Sequence, residues 1–507
     1  MTIIVYEGSI KHECPFTEGE TILDVLQNAG IESVTAPCGG KGTCKKCTVF
    51  VRSDIFCGPC LACTTAAKDQ MIVELVPEVR YSFADSSDGE ICSPTPGQTG
   101  YAVACDIGTT AVISQLLDLK TGDALALVSE SNAQRIFGGD VLSRLMAAEE
   151  GRAGEMHEQI VRQVQYALEE LARKAQIPQE EIRLLAVTGN TIMMHFFAGI
   201  DPAQISTAPF QPVTLFGEMK NGKDLGLAFD GQVYLCPAVS GFIGGDTLCG
   251  LLSAGFAGAE KKMLMVDLGA NTEIVLGDRE QMIACAADGG AAFKASLLEH
   301  GMIASQGAIS GVSVSDGELI PEVLGGGKPK GICGSGFIDV LGILYEEEIL
   351  DEMGHLADPD ETDSPLAKYL GTEDGRTVFY LTENKKIFIS QADISKFQMA
   401  KAAIAAGIRV LAEEAGISLP EIDKLFLGGG FGSFAHRRNS ALLGIIPTEC
   451  KGRTLKLGNA ALAGVSSAAL SEEARAELSR MQKLVRVIDL PTHPSFNDEF
   501  VDGMMFE

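Results

Sequence analysis

The segment Pro37-Cys38-Gly-Gly-Lys-Gly-Thr-Cys44-Lys-Lys-Cys47 sets three thiols at C-x5-C-x2-C in a glycine-rich loop, and Leu61-Ala-Cys63-Thr-Thr supplies a fourth. Thiolate sulfur is a soft ligand. Four sulfurs converging from a loop that wraps closely suit a 2Fe-2S cluster, and the glycines let backbone amides approach its sulfides. Cys44-x2-Cys47 and Cys60-x2-Cys63 also read as paired knuckles for structural zinc, but that reading leaves Cys38 and the Gly-Gly-Lys-Gly run without a role. Cys57 and Cys60 are each placed to replace Cys63 as fourth ligand; the Leu-Ala-Cys-Thr context favours Cys63.

A second set of residues suits phosphate. Tyr101-Ala-Val-Ala-Cys-Asp106-Ile-Gly108-Thr109-Thr110 and Met263-Leu-Met-Val-Asp267-Leu-Gly269-Ala-Asn271-Thr272-Glu273 each run an apolar strand into an Asp-x-Gly turn with amides and hydroxyls close by. The carboxylate offers a place for Mg²⁺ and the turn offers donors for phosphate. One such turn is usually only a hairpin. Two after matching strands form a weak internal repeat, and they imply two related lobes able to clamp a triphosphate. Leu425-Phe-Leu-Gly428-Gly429-Gly430 adds a strand running into glycines, where the backbone can lie flat against an adenosine. No G-x-x-x-x-G-K-[ST] occurs, which excludes a P-loop.

The elements that must position these residues are legible from periodicity. Thr2–Val5 and a segment around 12–16 read as strands, and Thr21 caps a helix to Ala29 with apolar Ile22, Leu23, Val25 and Leu26. The cysteine loop follows, then a closing strand from Met71. Residues 85–100, rich in Ser, Asp, Pro and Gly, read as linker. Beyond it, strands alternate with amphipathic helices, one carrying Ile160, Val164, Leu168 and Leu171 and another from Ile394 to Ala415, which indicates an α/β class. The expected division is therefore 1–80, a linker 81–100, a first lobe 101–258, and a second lobe with a tail 259–507.

Composition narrows the partners. The chain has 507 residues, a net charge of −28 and a pI near 4.7, which argue against nucleic acid or an anionic membrane surface as the partner. No run approaches the roughly 18 apolar residues of a membrane helix, and Met1-Thr-Ile-Ile-Val-Tyr-Glu lacks a secretory pattern, so the cytoplasm is expected. Six of the 14 cysteines crowd between Cys38 and Cys63, as metal binding in a reducing compartment would have it.

The cysteine spacing resembles that of vertebrate-type and bacterial 2Fe-2S ferredoxins. The order of the two Asp-x-Gly turns and the glycine run resembles the phosphate-1, phosphate-2 and adenosine motifs of the acetate and sugar kinase, Hsp70 and actin superfamily, with Val187-Thr-Gly-Asn-Thr and Gly331-Ile-Cys-Gly-Ser-Gly fitting its connecting motifs. Together they resemble the reductive activators of corrinoid-dependent enzymes. Asn132-Ala-Gln-Arg-Ile-Phe-Gly-Gly-Asp140-Val-Leu-Ser-Arg144, Thr188-Gly-Asn-Thr-Ile-Met-Met-His195, Pro237-Ala-Val-Ser-Gly-Phe-Ile-Gly-Gly-Asp246, the helix from Gln391 through Ala400 and the Phe-rich tail carry that resemblance past the linker.

The resemblance implies an α+β ferredoxin-like (β-grasp) domain followed by a duplicated α/β, ribonuclease-H-like ATPase of the actin/Hsp70 type. It implies ATP-dependent one-electron reduction of Co(II) to Co(I) in the corrinoid protein of a methyltransferase system, a low-potential electron donor and a homodimer. By the same carry-over Cys38, Cys44, Cys47 and Cys63 hold the 2Fe-2S cluster, and Asp106 and Asp267 sit by Mg²⁺ or the attacking water. Gly108, Thr109, Thr110, Gly269, Asn271, Thr272 and Glu273 line the phosphates of ATP, and Gly428, Gly429 and Gly430 face the adenosine. Asp140, His195 and Asp246 lie in family-like segments, where a capping Asp or a structural His is the plainer reading. The short linker and Gly289-Gly-Ala-Ala-Phe-Lys294 depart from the family pattern. A small-molecule kinase with a regulatory metal domain and a chaperone-like ATPase with a zinc module are the competing readings.

Overall fold

The structure, a computed structural model, describes every residue except 8–9, 32–33, 35, 37–38, 43–46, 53–56, 76–88, 270–271, 288–297, 303, 430–436 and 507. Residues 1–79 with 94–244 form one compact unit, and residues 80–93 with 245–507 form a second. Among the described residues no helix is long and apolar enough to cross a membrane.

The first unit opens with a mixed sheet of β1 (Thr2–Glu7), β2 (Ile10–Pro15), β3 (Thr48–Arg52), β4 (Cys57–Leu61) and β5 (Ile72–Leu75), in the order β2-β1-β5-β3-β4. β1 and β5 run parallel and the other neighbours antiparallel. Helix α1 (Ile22–Asn28) covers this sheet, burying Ile22, Leu23, Val25 and Leu26 against Ile3, Val5, Val51 and Val73. Its start is fixed by a reciprocal cap: Thr21 Oγ1 accepts from the Asp24 amide at 3.2 Å, and the Asp24 carboxylate accepts from the Thr21 amide at 2.8 Å. The Ile22 and Leu23 amides donate to Thr65 O and Ala62 O, tying the helix start to the segment that carries Cys63.

The rest of the unit is built on β6 (Tyr101–Ile107), β7 (Ala111–Asp118), β8 (Ala124–Ser131), β9 (Ile182–Gly189), β10 (Glu218–Asn221) and β11 (Gln232–Leu235), ordered β10-β11-β9-β6-β7-β8. β6 reads as an apolar run because both its faces are buried, with α3 (Ala153–Ala175) packing Ile160, Val164, Leu168 and Leu171 into the core beneath. Two shorter helices, α2 (Val141–Ala147) and α4 (Thr191–Phe197), flank the turn that ends β6.

The second unit repeats the pattern. After α5 (Gly245–Ser253) come β12 (Met263–Leu268), β13 (Thr272–Gly277) and β14 (Met282–Ala287), joined by strands Lys424–Gly428, Thr454–Lys456 and Val485–Val487. β12 pairs antiparallel with β13 and parallel with Lys424–Gly428, as β6 pairs with β7 and β9. Five strands in each sheet therefore share one order and one set of directions, so the two Asp-x-Gly turns occupy equivalent strand ends. The helix Gln391–Ala415, capped by Ser390 with Asp393, underlies the second sheet.

Helix α5 lies close against Ala460–Leu470, and Gly464 is the point of approach: a Cβ there would sit 2.0 Å from Cys249 O. Gly464→Ala must push the helices apart, an overpacking cost of about 1–3 kcal/mol. We expect a lower melting temperature by calorimetry; an unchanged one would show that the contact yields freely.

Candidate functional site

The cysteine site rests on the β3–β4 hairpin. Its register pairs Thr48 with Leu61 and Arg52 with Cys57, so Cys47, immediately before β3, lies beside the residues immediately after β4. Ala62 N donates to Cys47 O at 2.9 Å. Cys47 Sγ and Cys63 Sγ are 3.1 Å apart, both buried. That separation is too long for a disulfide of about 2.05 Å and is that of two thiols in contact, about 0.7 Å short of the roughly 3.8 Å that two sulfurs take on one tetrahedral metal at about 2.3 Å. The same register carries Cys57 to the far end of the hairpin, opposite Arg52 and roughly 17 Å along the strand at about 3.4 Å per residue. Cys60, opposite Val49 and partly buried, is nearer. Cys38 and Cys44 lie outside the described residues, and among those described no cluster of three or more His, Cys, Asp or Glu side chains is placed to hold a metal.

In the first unit, the turn after β6 is held from behind. Asn132 Nδ2 donates to Gly108 O at 2.7 Å, Arg144 Nη2 to Thr109 O at 2.6 Å, and the Asn132 amide to Thr110 O at 2.9 Å. Carbonyl and amide point opposite ways across a trans peptide, so the bonds to Gly108 O and Thr109 O turn the amides of Thr109 and Thr110 away from Asn132 and Arg144, as an anion-binding nest requires. Asn190 Nδ2 adds a bond to Thr109 Oγ1 at 3.1 Å. Arg144 is fully buried among neutral partners, Gly138 O, Thr109 O and Met193 Sδ, and burial pulls its pKa down to about 9, which leaves it charged at neutral pH. Asp106 is buried at the end of β6, level with Thr188 of β9.

In the second unit the strand end is crowded with carboxylates. Asp267 and Glu273 are cross-strand partners on β12 and β13, and Asp246 stands in the first turn of α5. Desolvation, then repulsion from Asp246, pushes the Asp267 pKa up to about 7. Desolvation raises Asp246 to about 6, and desolvation with both neighbouring acids holds Glu273 well above the usual range. Three acids placed so resist ionising together. Thr272 is wholly buried, and its hydroxyl has no hydrogen-bond partner among the described residues. Gly428 pairs with Asp267, and Gly429 has a φ of 80°, where a Cβ would stand 2.3 Å from Asp267 Oδ1 and 2.5 Å from Leu268 O. Gly269, Thr272, Glu273, Gly428 and Gly429 are thus gathered around Asp267, whereas Asn271 and Gly430 lie outside the described residues, as does Gly289–Lys294.

Asp140 is the N-cap of α2, accepting from the Ser143 amide at 2.8 Å, and this is a structural role. His195 is buried with Nδ1 against Thr191 O at 2.7 Å and its ring edge-on to Phe216; desolvation holds its pKa below the ordinary value. Asn132, Arg144 and Asn190 were not singled out by sequence reasoning, although each lies in a family-like segment. The two asparagines are N-caps, of Ala133–Ile136 and of α4, a signal the sequence carries; Arg144 carries none.

Residues 101–259 match the RACo middle region, and residues 261–507 match the C-terminal domain of RACo, the ASKHA domain. The chain is 30% identical over 418 residues to the corrinoid activation enzyme RamQ of Eubacterium limosum, covering 80% of this chain and 70% of that protein. It belongs to the RACo family. The likeness to corrinoid activators read from the motifs is borne out, and the second unit has the actin/Hsp70-type ATPase fold. A Methanosarcina barkeri protein named as a Co(II) methylated amine-specific corrinoid protein reductase is 24% identical over 421 residues, with 76% of this chain and 72% of that one aligned. Among solved structures, a reductive activator for corrinoid, iron-sulfur protein superposes with a TM-score of 0.70 and 27% identity over 100% of this chain and 98% of the other. RACo membership favours the activator reading over a kinase or a chaperone.

Two outcomes follow for this RACo chain. Gly429→Ala combines a left-handed backbone, costing about 1–2 kcal/mol, with contact against Asp267, and should weaken ATP binding at least about tenfold by calorimetric titration. The carboxylate cluster sets a pH dependence. Unfolded, these acids ionise near pH ~4, whereas the folded chain keeps their protons to about 6–7, so their contribution is greatest in acid and is lost as pH rises through that window. Without divalent cations, Asp267→Asn should raise the melting temperature at about pH 8 and change it less at about pH 5. Equal or lower stability at the higher pH would remove the case for crowding.

Proposed function

We propose that this chain reactivates a corrinoid protein by ATP-dependent one-electron reduction of Co(II) to Co(I). A 2Fe-2S cluster held by Cys38, Cys44, Cys47 and Cys63 supplies low-potential electron transfer when bound. The sheet order β2-β1-β5-β3-β4 with one covering helix supports a ferredoxin-like β-grasp domain around that loop. The observation that carries the reading is the pair of buried sulfurs of Cys47 and Cys63, 3.1 Å apart, in a chain whose residues 101–259 and 261–507 match the RACo family.

The residues divide the work. Thr109 and Thr110 present amides to phosphate, with Asn132, Arg144 and Asn190 holding them. Asp267, with Asp246 and Glu273 around it, holds Mg²⁺, and Asp106 is the equivalent carboxylate of the first sheet, by Mg²⁺ or the attacking water. Gly428 and Gly429, with Gly430 after them, receive the adenosine. Gly108, Gly269, Asn271 and Thr272 complete the phosphate contacts. The corrinoid protein belongs to a methyltransferase system, electrons come from a low-potential donor, and the chain acts as a homodimer.

Two measurements test this. Iron and acid-labile sulfide should fall sharply in Cys47→Ser and Cys63→Ser and stay at wild-type content in Cys57→Ser; full cluster without Cys63 would transfer the fourth ligand to Cys60. Wild-type protein with ATP, Mg²⁺ and a chemical reductant should return the Co(II) spectrum of a methyltransferase corrinoid protein to Co(I). If iron-replete protein leaves Co(II) unchanged with every corrinoid partner offered, the reading falls.

A further inference from the structure

The segment that holds the phosphate turn from behind also holds the N-terminal domain. Asn132, whose amide and side chain engage Thr110 O and Gly108 O, caps a 3-10 turn, Ala133–Ile136, by accepting from the Gln134 amide at 2.8 Å. That turn is pinned to α3, because the Ala133 amide donates to Gln163 Oε1 at 2.9 Å and Gln134 Nε2 donates to Met156 O at 2.9 Å. At its far end Ile136 O accepts from Gln27 Nε2 at 2.6 Å. Gln27 is the buried last-turn residue of α1, and its Oε1 accepts from Arg152 Nη2 at 3.1 Å. The Arg152 guanidinium lies 4.5 Å from the Phe137 ring centroid and is paired with Glu155 at 2.9 Å.

The other end of α1 reaches the cysteine site. Its first two amides donate to Thr65 O and Ala62 O, which bracket Cys63 in sequence. One short helix therefore joins the Cys63 segment at its N-terminus to residues 136–152 at its C-terminus. From Ile136 it is four residues back to Asn132, which touches the phosphate turn.

We infer that Gln27 and Arg152 are positioning residues that couple docking of the N-terminal domain to occupancy of the phosphate turn. The inference rests on the nucleotide reading of that turn given above. A phosphate drawn to the Thr109 and Thr110 amides fixes the peptides whose carbonyls Asn132 holds. A fixed Asn132 orders the 3-10 turn, and an ordered turn presents Ile136 O to Gln27 in a bonding position. Linkage makes the effect reciprocal: what ATP does for docking, docking does for ATP affinity by the same factor. Such coupling makes the position of the segment that carries Cys63 depend on the nucleotide, so that electron delivery is gated without any residue of the clasp touching ATP.

The test uses the full, iron-loaded chain. Gln27→Met preserves volume and removes both hydrogen bonds; Arg152→Met removes the guanidinium; the double variant completes a cycle. Iron content and melting temperature confirm that each has folded. Affinity for ATP is read by titration calorimetry, and hydrogen exchange of peptides covering 22–28 and 132–137 is followed with and without ATP. Each single variant should weaken ATP binding by about fivefold, the lower end of measured couplings. The double variant should be no worse than either single, because both act through one contact. ATP should slow exchange of both peptides in wild type and lose that effect on 22–28 in the variants. Wild-type protein that fails to bind ATP at all defeats the nucleotide reading itself. Wild type that binds ATP, with variants within twofold of it or with exchange of 22–28 indifferent to ATP, defeats the coupling alone.

Discussion

A peptide cannot offer its amide to a ligand unless its carbonyl, pointing the other way, is satisfied by something else. At the end of β6 this constraint falls on three successive carbonyls, those of Gly108, Thr109 and Thr110, and the protein meets it with two side chains and one amide. Asn132 engages two and Arg144 the third. Each is costly to bury alone: a guanidinium with no water must find carbonyls or pay for desolvation, and Arg144 finds Gly138 O and Thr109 O. In return the carbonyls of the turn are satisfied, and its amides are left to face a ligand. Much of the buried polar content around α2 and α4, Asn132, Gln134, Arg144 and Asn190, follows from this one requirement.

The second unit meets its counterpart in another way. There the strand end carries mutual repulsion among Asp246, Asp267 and Glu273, held in place by a sheet that cannot relax without losing the β12–β13 ladder. Acids kept closer than they would choose are relieved by holding their protons, or by the divalent cation proposed above, since one such charge removes several repulsions together. Gly429 belongs to the same constraint: only a residue without Cβ lets its strand end close on Asp267. The two halves share a topology but have diverged in which partner, amide or carboxylate, is prepared in advance.

How far the sequence alone reveals this depends on the range of the interaction. α1 was legible because its cap, Thr21 with Asp24, and its apolar face are local. The duplicated sheets were legible because strands buried on both faces leave long apolar runs, and a repeated Asp-x-Gly marks their ends. Arg144 was not, since an arginine between Ser143 and Leu145 in a helix reads as an exposed charge until α4 and the β6 turn are known to close over it. Nor was hairpin register, which C-x5-C in sequence does not reveal: the pairing of Arg52 with Cys57, which carries Cys57 to the far end of the hairpin from Cys47, comes from the structure alone. The Asp140 cap and the His195 bond to Thr191 O show the converse, residues of catalytic type used for local structure.

The proposed reduction of cobalt to Co(I) by a low-potential cluster sets a thermodynamic demand on this architecture. Each ~59 mV of unfavourable potential lowers a one-electron equilibrium tenfold, and no rearrangement inside the activator repeals that. A nucleotide shifts an equilibrium only by as much as it binds one state better than another, so its binding must reach whatever differs between the states. A turn fixed rigidly at both ends would bind ATP well and report nothing. The first unit instead places Asn132 between the turn and a single-turn 3-10 helix, an element whose poorer hydrogen-bond geometry makes it easy to order or loosen. At the far end of that element lies one buried glutamine from the domain that carries the cysteines. Through that glutamine a change at the phosphates can reach the domain that carries the cysteines.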